Sequence, residues 1–279
     1  MMLLEDDYQA KLFPYAYNIL GSIEDAKDVV QDIVVQQVNE ESVNIEKPMA
    51  YMVKSVINRS INLKKRNKKL TDDTTWLPEP VSTDSADSLV NRDEIISYSL
   101  LVILENLTAK ERAVFMLKEG FDYSHEEISQ VIEISIENSR KLLSRAKQKV
   151  QGKPVKEPHS KSKRESSFFK KYVEILKNRD ISNLEKLLSE DIALRADGGG
   201  KIKVVKDLSI GKASTLDLLI YVYHTYQISH EVELRYINHQ PALLFLQNGK
   251  PVNCQVFELI NNTITNIYSV VNPDKLRHL

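Results

Sequence analysis

The stretch 108–149 constrains the fold more than any other part of the chain, because it contains the start signals of successive short helices. Thr108 with Glu111, and Ser124 with Glu127, have the spacing of a capping box, in which two side chains satisfy backbone N–H groups left unpaired at a helix start. The spacing therefore predicts that one helix begins directly after each of these caps.

The last helix of this stretch is predicted to separate apolar from basic residues. Ser135 is a suitable N-cap, and the short turn before it fits a helix-turn-helix. The i, i+3, i+4, i+7 spacing predicts a packed face made of Ser139, Leu142, Leu143 and Ala146. The opposite face suits DNA phosphates and base edges, although a solvated face on an ordinary bundle helix has the same pattern. The residues predicted on this opposite face are Glu137, Asn138, Arg140, Lys141, Ser144, Arg145 and Lys147.

The charges of the chain are segregated although their sum is close to zero. The formal net charge is −1 over 279 residues. Lysine and arginine dominate residues 54–69 and 140–164, whereas aspartate and glutamate dominate residues 72–94. Such segregation indicates one surface for an anion and another for a different partner.

The single cysteine, Cys254, excludes an internal disulfide and fits a reducing compartment. No apolar run approaches membrane-spanning length, and the acidic N-terminus is unlike a secretory signal. No spacing of residues defines a metal site, and no cofactor is expected. We therefore expect a soluble, cytoplasmic protein with no membrane partner.

The chain is long enough for two or three domains. Helical patterns fill the first 70 residues. Ser22 is a suitable cap for the second helix, and Pro48 suits the first position of the third helix. Pro78 and Pro80 interrupt any helix that would continue into the next block. The predicted organisation is a helical domain at 1–70, a linker at 71–90, a second helical domain at 91–151, a linker at 152–167 and a C-terminal domain at 168–279.

The C-terminal domain is predicted to be α+β. Two helices are predicted at 168–178 and 184–188, the second with Ser182 and Glu185 as its capping box. Strand-like alternation and a further helix follow, with strands predicted at 231–237, 252–257 and 263–270 and the helix at 214–227. The dipeptides Asn248–Gly249 and Asn261–Asn262 are predicted hairpin turns.

Two helical blocks that are joined by a tether and each end in a basic helix resemble the extracytoplasmic-function (ECF) sigma factors of bacterial RNA polymerase. The resemblance covers about residues 12–150. Within it, residues 15–32 resemble the segment that binds core polymerase. This segment and the helix that follows it belong to sigma region 2, which the resemblance assigns to the domain at 1–70. The resemblance implies that the residues touching core polymerase are Asp25, Asp28, Gln31 and Asp32, whereas the pattern alone would also fit a solvated acidic face.

Residues 48–66 resemble the helix that recognises the minus-ten promoter element, and residues 42–47 would then hold an unstacked base. Tyr51 and Asn62 stand where the family usually has tryptophan and aspartate. The residues implied to contact promoter DNA here are Asn58, Arg59, Asn62, Lys64, Lys65 and Arg66.

The helix-turn-helix resembles sigma region 4, which binds the minus-thirty-five element. Glu133 stands where the turn of the family commonly has glycine, and Ser139 where it commonly has valine.

Three further motifs extend the resemblance to nearly the whole chain. They are Trp76–Pro80, Asp197–Lys201 and Asn272–Leu276, and they are typical of the subgroup with a fused SnoaL-like (nuclear transport factor two-like) domain. The implied fold is two all-α domains, the second a helix-turn-helix, followed by an α+β cone-shaped domain. The implied role of that domain is to replace a separate anti-sigma protein by packing on the promoter-binding domains. The residues implied in this interdomain contact are Trp76, Pro78, Asp197, Gly198, Gly199, Gly200, Lys201, Asn272, Pro273, Asp274, Lys275 and Leu276.

Cone folds also occur in enzymes, so a catalytic role is an alternative to a regulatory one. The side chains considered for an acid–base set are His224, His230, His239, Asp191, Asp197, Asp217, Tyr221, Tyr223 and Tyr226. No spacing among them defines a nucleophile or a histidine–carboxylate pair. We therefore predict a sigma factor rather than an enzyme, with core RNA polymerase and promoter DNA as partners. The alternative is a DNA-binding regulator whose C-terminal domain senses a small-molecule ligand and which never binds core polymerase.

Overall fold

The computed structural model describes residues 2–39, 47–68, 75–84, 94–150 and 163–279. The chain divides into two compact units, one made of residues 1–72 and 85–157, the other of 73–84 and 158–279. Residues 73–84, predicted as part of a linker, thus belong to the C-terminal unit. Among the described helices, none is long and apolar enough to cross a membrane.

The first unit is helical throughout its described part. Its helices are α1 (Met2–Leu20), α2 (Ile23–Asn39), α3 (Pro48–Lys68), α4 (Tyr98–Ile103), α5 (Ala109–Phe115), α6 (His125–Ile132) and α7 (Ile136–Val150). The predicted start of α2 is confirmed, since the Asp25 N–H donates to Ser22 Oγ at 3.2 Å. Pro48 opens α3 as predicted, at a position where its missing N–H costs nothing.

A buried ionic network joins α1, α3 and α5 inside this unit. The Arg112 side chain is fully buried, and its Nε donates to the Asn18 carbonyl at 2.8 Å. Glu105, in a single 3₁₀ turn after α4, pairs with Arg112 and accepts from Lys64 Nζ at 2.7 Å. Lys64 Nζ also donates to the Leu20 carbonyl at 2.9 Å. Both cations therefore pair with the same carboxylate in the interior.

The second unit is a curved sheet covered by helices. Its elements are α8 (Lys163–Lys177), α9 (Ile181–Leu187), β1 (Leu188–Asp197), β2 (Leu208–Ile210), α10 (Lys212–Val222), β3 (Glu231–Ile237), β4 (Gln240–Gln247), β5 (Lys250–Ile260) and β6 (Thr263–Val270). The strand order is β2-β1-β6-β5-β4-β3, with β1 and β6 parallel and the other pairs antiparallel. Phe169 and Tyr172 of α8 pack on Phe257 of β5, with ring centroids 4.9 and 5.4 Å apart, and this contact joins the helical layer to the sheet.

Two-residue turns connect the last four strands. Both predicted turns are confirmed, because Asn248, Gly249, Asn261 and Asn262 all have positive φ, as a type I′ hairpin requires. A third turn of this kind, Asn238–His239, was not predicted, since histidine is an uncommon residue at φ 63°. β4 was not predicted either, because its apolar run is buried almost throughout and shows no alternation of apolar and polar residues.

One predicted helix start in this unit is wrong. Asp180, rather than Ser182, caps α9, since its carboxylate accepts the Asn183 N–H at 3.1 Å. The helix ends at Leu187, and Leu188 already belongs to β1. Aspartate and serine are comparable caps, so residue preference alone does not distinguish the two positions.

Candidate functional site

The helix-turn-helix is built as the capping signals predicted. Each capping box is complete: Thr108 Oγ1 accepts the Glu111 N–H at 3.3 Å, and Ser124 Oγ accepts the Glu127 N–H at 3.1 Å. Ser135 Oγ, which precedes α7, accepts a backbone N–H at 3.1 Å. The three short helices are thereby held at defined start points.

The turn between α6 and α7 contains a residue in a conformation that glycine favours. Glu133 has φ 54°, which costs a residue with a Cβ roughly 1 kcal/mol. Its carboxylate lies 3.0 Å from Lys54 Nζ of α3. The glycine that is usual at this position is thus replaced by a side chain that makes an ion pair.

The predicted packed face of α7 is confirmed. Its four residues are buried, and Ser139 Oγ lies 2.8 Å from Nδ1 of His125 at the start of α6. This hydrogen bond accounts for a serine where related helices have valine, since the hydroxyl has a partner inside the packed interface.

The outer face of α7 is exposed at all seven predicted positions. Glu137 pairs with Lys141 at 2.6 Å, and Lys147 pairs with Glu119 at 2.9 Å. His125 lies beside this face, and its pKa is lowered by burial and by the nearby cations, which include Lys118 and Arg140. The surface is therefore electropositive and suited to an anion.

The predicted polymerase-binding residues share the outer side of α2. Asp28, Gln31 and Asp32 are exposed and Asp25 is half-buried. Burial and the neighbouring Asp28 raise the pKa of Asp25, although it accepts a hydrogen bond from Asn67 at 3.1 Å. We call these four residues the acidic face.

Asp25, Asp28 and Asp32 of the acidic face form one wall of a groove of about 440 Å³, and α3 forms the other. Asp32 pairs with Arg59 across the groove. Asn62 and Arg66 also line it. Residues predicted to bind polymerase and residues predicted to bind DNA therefore lie on facing walls.

Four of the six predicted DNA contacts on α3 are exposed, and two are engaged internally. Arg59, Asn62, Lys65 and Arg66 face solvent. Asn58 Nδ2 donates to the Val131 carbonyl of α6 at 2.7 Å, while Lys64 belongs to the buried network with Glu105. Neither of the latter two side chains can meet DNA in this conformation. The predicted base pocket, apart from Lys47, lies outside the described residues.

The three motifs of the C-terminal unit converge on one buried ion pair. Asp197, at the end of β1, accepts from Lys275 Nζ at 2.7 Å, and both side chains are less than a tenth exposed. The same carboxylate accepts the Leu77 N–H at 2.8 Å and the Gly199 N–H at 2.7 Å. The Lys275 ammonium also lies 4.2 Å from the centroid of the Trp76 ring, within cation–π range. We call this the Asp197–Lys275 cluster.

Two glycines allow close backbone approaches at this cluster, Gly199 to the tail and Gly198 to Ile202. A Cβ on Gly199, which has φ 60°, would lie 2.1 Å from Asn272 Nδ2, and one on Gly198 would lie 1.8 Å from the Ile202 carbonyl oxygen. Lys201 pairs with Asp274 at the surface. A larger residue at Gly199 would separate the two motifs, and one at Gly198 would collide with the Ile202 backbone that follows the glycines.

Two of the residues named for an acid–base set make structural contacts. His224 Nε2 donates to the Leu176 carbonyl at 2.9 Å, and Asp197 is occupied by the cluster. Cys254 is fully buried, and burial raises its pKa to about 12, which makes a redox-active thiolate unfavourable. In the described part of the chain, no group of three or more His, Cys, Asp or Glu side chains is placed to hold a metal.

Comparison with known proteins agrees with this geometry. Residues 97–150 match the family model for sigma-70, region 4. The chain is 29% identical over 198 residues to the ECF RNA polymerase sigma factor SigJ of Mycobacterium tuberculosis. The aligned region covers 68% of this chain and 62% of that protein. It is 22% identical over 275 residues to the probable ECF RNA polymerase sigma factor SigI of M. tuberculosis, covering 96% and 92% of the two chains.

The fold is similar to a solved structure over nearly its full length. The crystal structure of M. tuberculosis SigJ superposes with a TM-score of 0.78 at 20% identity, covering 99% of this chain and 98% of that one. The predicted order of two helical blocks followed by a mixed sheet domain is thereby confirmed.

Proposed function

We propose that this chain is an ECF sigma factor with a fused C-terminal SnoaL-like domain, and that it directs bacterial core RNA polymerase to promoters and starts transcription there. The observation that carries the proposal is the exposed, basic outer face of α7 on a helix-turn-helix whose sequence matches region 4. Polymerase performs the chemistry, and the factor contributes recognition.

The proposed division of labour assigns one partner to each surface. The acidic face of α2 binds core polymerase, because carboxylates on an exposed helix suit a basic protein surface. The exposed side of α3 binds the minus-ten region, and the outer face of α7 binds the minus-thirty-five region.

DNA contacts by Asn58 and Lys64 require α3 to move away from α6 and from the turn after α4. Asn58 and Lys64 become available only when their hydrogen bonds to Val131 and Glu105 open. The closed arrangement therefore lowers affinity for DNA until another interaction, such as polymerase binding, favours the open one.

The C-terminal unit is proposed to modulate this step in place of an anti-sigma protein. Support comes from the Asp197–Lys275 cluster, which ties residues 75–84, the segment between the two helical blocks, to the cone domain. Because that segment connects α3 to α4 along the chain, holding it restrains how far the two blocks can separate. The predicted domain boundaries are part of this proposal.

The polymerase contact predicts that charge reversal on the acidic face weakens core binding. Asp28→Lys and Asp32→Lys should each weaken the apparent affinity for purified core polymerase, measured by competition with a known sigma factor, by about tenfold or more. The reason is that like charges then face each other. Glu185→Lys, an exposed reversal on α9, is the matched control and should compete as the wild type does. Absence of competition by the wild-type chain would instead favour the ligand-sensing regulator that never binds core polymerase.

The DNA contact predicts a change in salt dependence. Arg140→Ala and Arg145→Ala should each lower the slope of log affinity against log salt by about 0.9, since each removes one phosphate contact. The measurement uses holoenzyme and a labelled promoter fragment selected from genomic DNA. Lys170→Ala, an exposed change on α8, should leave the slope unaltered. Unchanged slopes in both arginine variants would remove α7 from the interface.

A further inference from the structure

The cone domain encloses a largely apolar cavity of about 400 Å³. Its walls come from β1, β5 and α10, and include Leu194, Leu218, Leu219 and Val252. This volume falls within the range of pockets that hold small organic ligands. An apolar body can therefore be buried there without displacing the core.

The cavity contains polar atoms that lack hydrogen-bond partners. Gln255 lines the cavity from β5 and is 3% exposed, and its Oε1 has no partner in the structure. Nδ1 of His230, which also lines the cavity, is likewise buried without a hydrogen-bond partner among the described residues. A buried carbonyl oxygen without a donor is unfavourable, so an occupant that supplies an N–H or O–H would be stabilised there.

The mouth of the cavity is basic and adjoins the tail. Lys203 and Lys206 line it and are exposed, so they mark the side that meets solvent. Pro273 and Leu276 line it as well, on either side of the Lys275 that pairs with Asp197. An occupant would therefore contact the segment that holds the Asp197–Lys275 cluster.

We propose that this cavity binds a small amphipathic anion, with an apolar body inside, an N–H or O–H donated to Gln255, and a negative group near Lys203 and Lys206. The inference concerns the C-terminal unit alone and does not rest on the sigma factor function. Binding is measured without polymerase or DNA, so its failure and the failure of the proposed function are distinguishable.

Two fluorescent probes test the proposal on the full chain. 1-Anilinonaphthalene-8-sulfonate has an apolar body, an N–H and an anionic group, and N-phenyl-1-naphthylamine has the same body and N–H without the charge. We expect saturable binding of both at one site. Gln255→Leu should weaken both about tenfold, since both lose the same acceptor.

Two further variants distinguish the contribution of the cavity mouth to probe binding from that of the cavity interior. The double change Lys203→Gln and Lys206→Gln should weaken the sulfonate probe several-fold and leave the neutral probe within twofold, whereas Lys250→Gln, in the nearby hairpin, should affect neither. Val252→Trp, which fills the cavity, should abolish binding of both probes while the melting temperature stays close to that of the wild type.

The contrary results are equally specific. Absence of saturable binding by the wild type, or undiminished binding by Val252→Trp, would overturn the proposal. Should Val252→Trp fail to fold, undiminished binding by Gln255→Leu would overturn it in the same way.

Discussion

Replacing Lys275 with methionine will lower the free energy of unfolding of the C-terminal unit by about 3–5 kcal/mol, because it leaves the Asp197 carboxylate buried without its cation. The same change removes the ammonium group from the Trp76 ring. Trp76 is the only tryptophan in the chain, so urea titration followed by its emission reports directly on the cluster.

The ion pair can be isolated by a double-mutant cycle. Asp197→Asn removes the charge and keeps one oxygen, which can accept from either the Leu77 or the Gly199 N–H, because these two groups bind different oxygens of the carboxylate. Combined with Lys275→Met, it should cost clearly less than the sum of the two single changes, since no unpaired charge is left. Lys201→Met, which breaks the exposed pair with Asp274, is the matched control and should cause no measurable change. Strict additivity would show that the pair contributes nothing as a pair.

Replacing Glu105 with alanine will lower the free energy of unfolding of the first unit by about 3–5 kcal/mol. Arg112 is fully buried, and without Glu105 it keeps only its hydrogen bond to the Asn18 carbonyl. Hydrogen exchange of the amides in α1 and α5 separates this loss from any change in the other unit. Glu137→Ala, which breaks an exposed pair on α7, should leave those exchange rates unchanged.

The same carboxylate should make the first unit sensitive to acid. Burial alone would raise the pKa of Glu105, but the Arg112 and Lys64 cations hold it below its usual value. A carboxyl with a lowered pKa in the folded state stabilises fully above its unfolded pKa of about 4.3, and loses that contribution as pH falls through the folded value. Glu105→Gln should therefore flatten the loss of stability of this unit below about pH 4. An equally steep loss in the variant would assign the acid sensitivity to other groups.

Local signals in the chain were sufficient wherever the structure depends on neighbours within a few residues. Thr108 and Ser124 start helices because their caps act over three positions, and the spacing along α7 separates buried Leu142 and Leu143 from the exposed basic side. The turns at Asn248–Gly249 and Asn261–Asn262 follow from residues that tolerate positive φ.

The structure decided points that local signals did not. Ser182 was predicted to cap α9, whereas Asp180 has that role. In the same way, Asn58 and Lys64 have the residue types of DNA contacts, yet tertiary packing turns them towards Val131 and Glu105. A helix face can be predicted from its period, but its partner cannot.

The sequence by itself determined the helix starts, the basic outer face of α7, the α+β character of the second unit and the three motifs. Only the tertiary structure placed Trp76, Asp197 and Lys275 together, although they stand far apart along the chain. It also decided that the cone domain leaves a cavity beside Gln255. The physical reason is range: caps, turns and periodicity act over a few residues, whereas buried ion pairs and cavities depend on how distant segments pack.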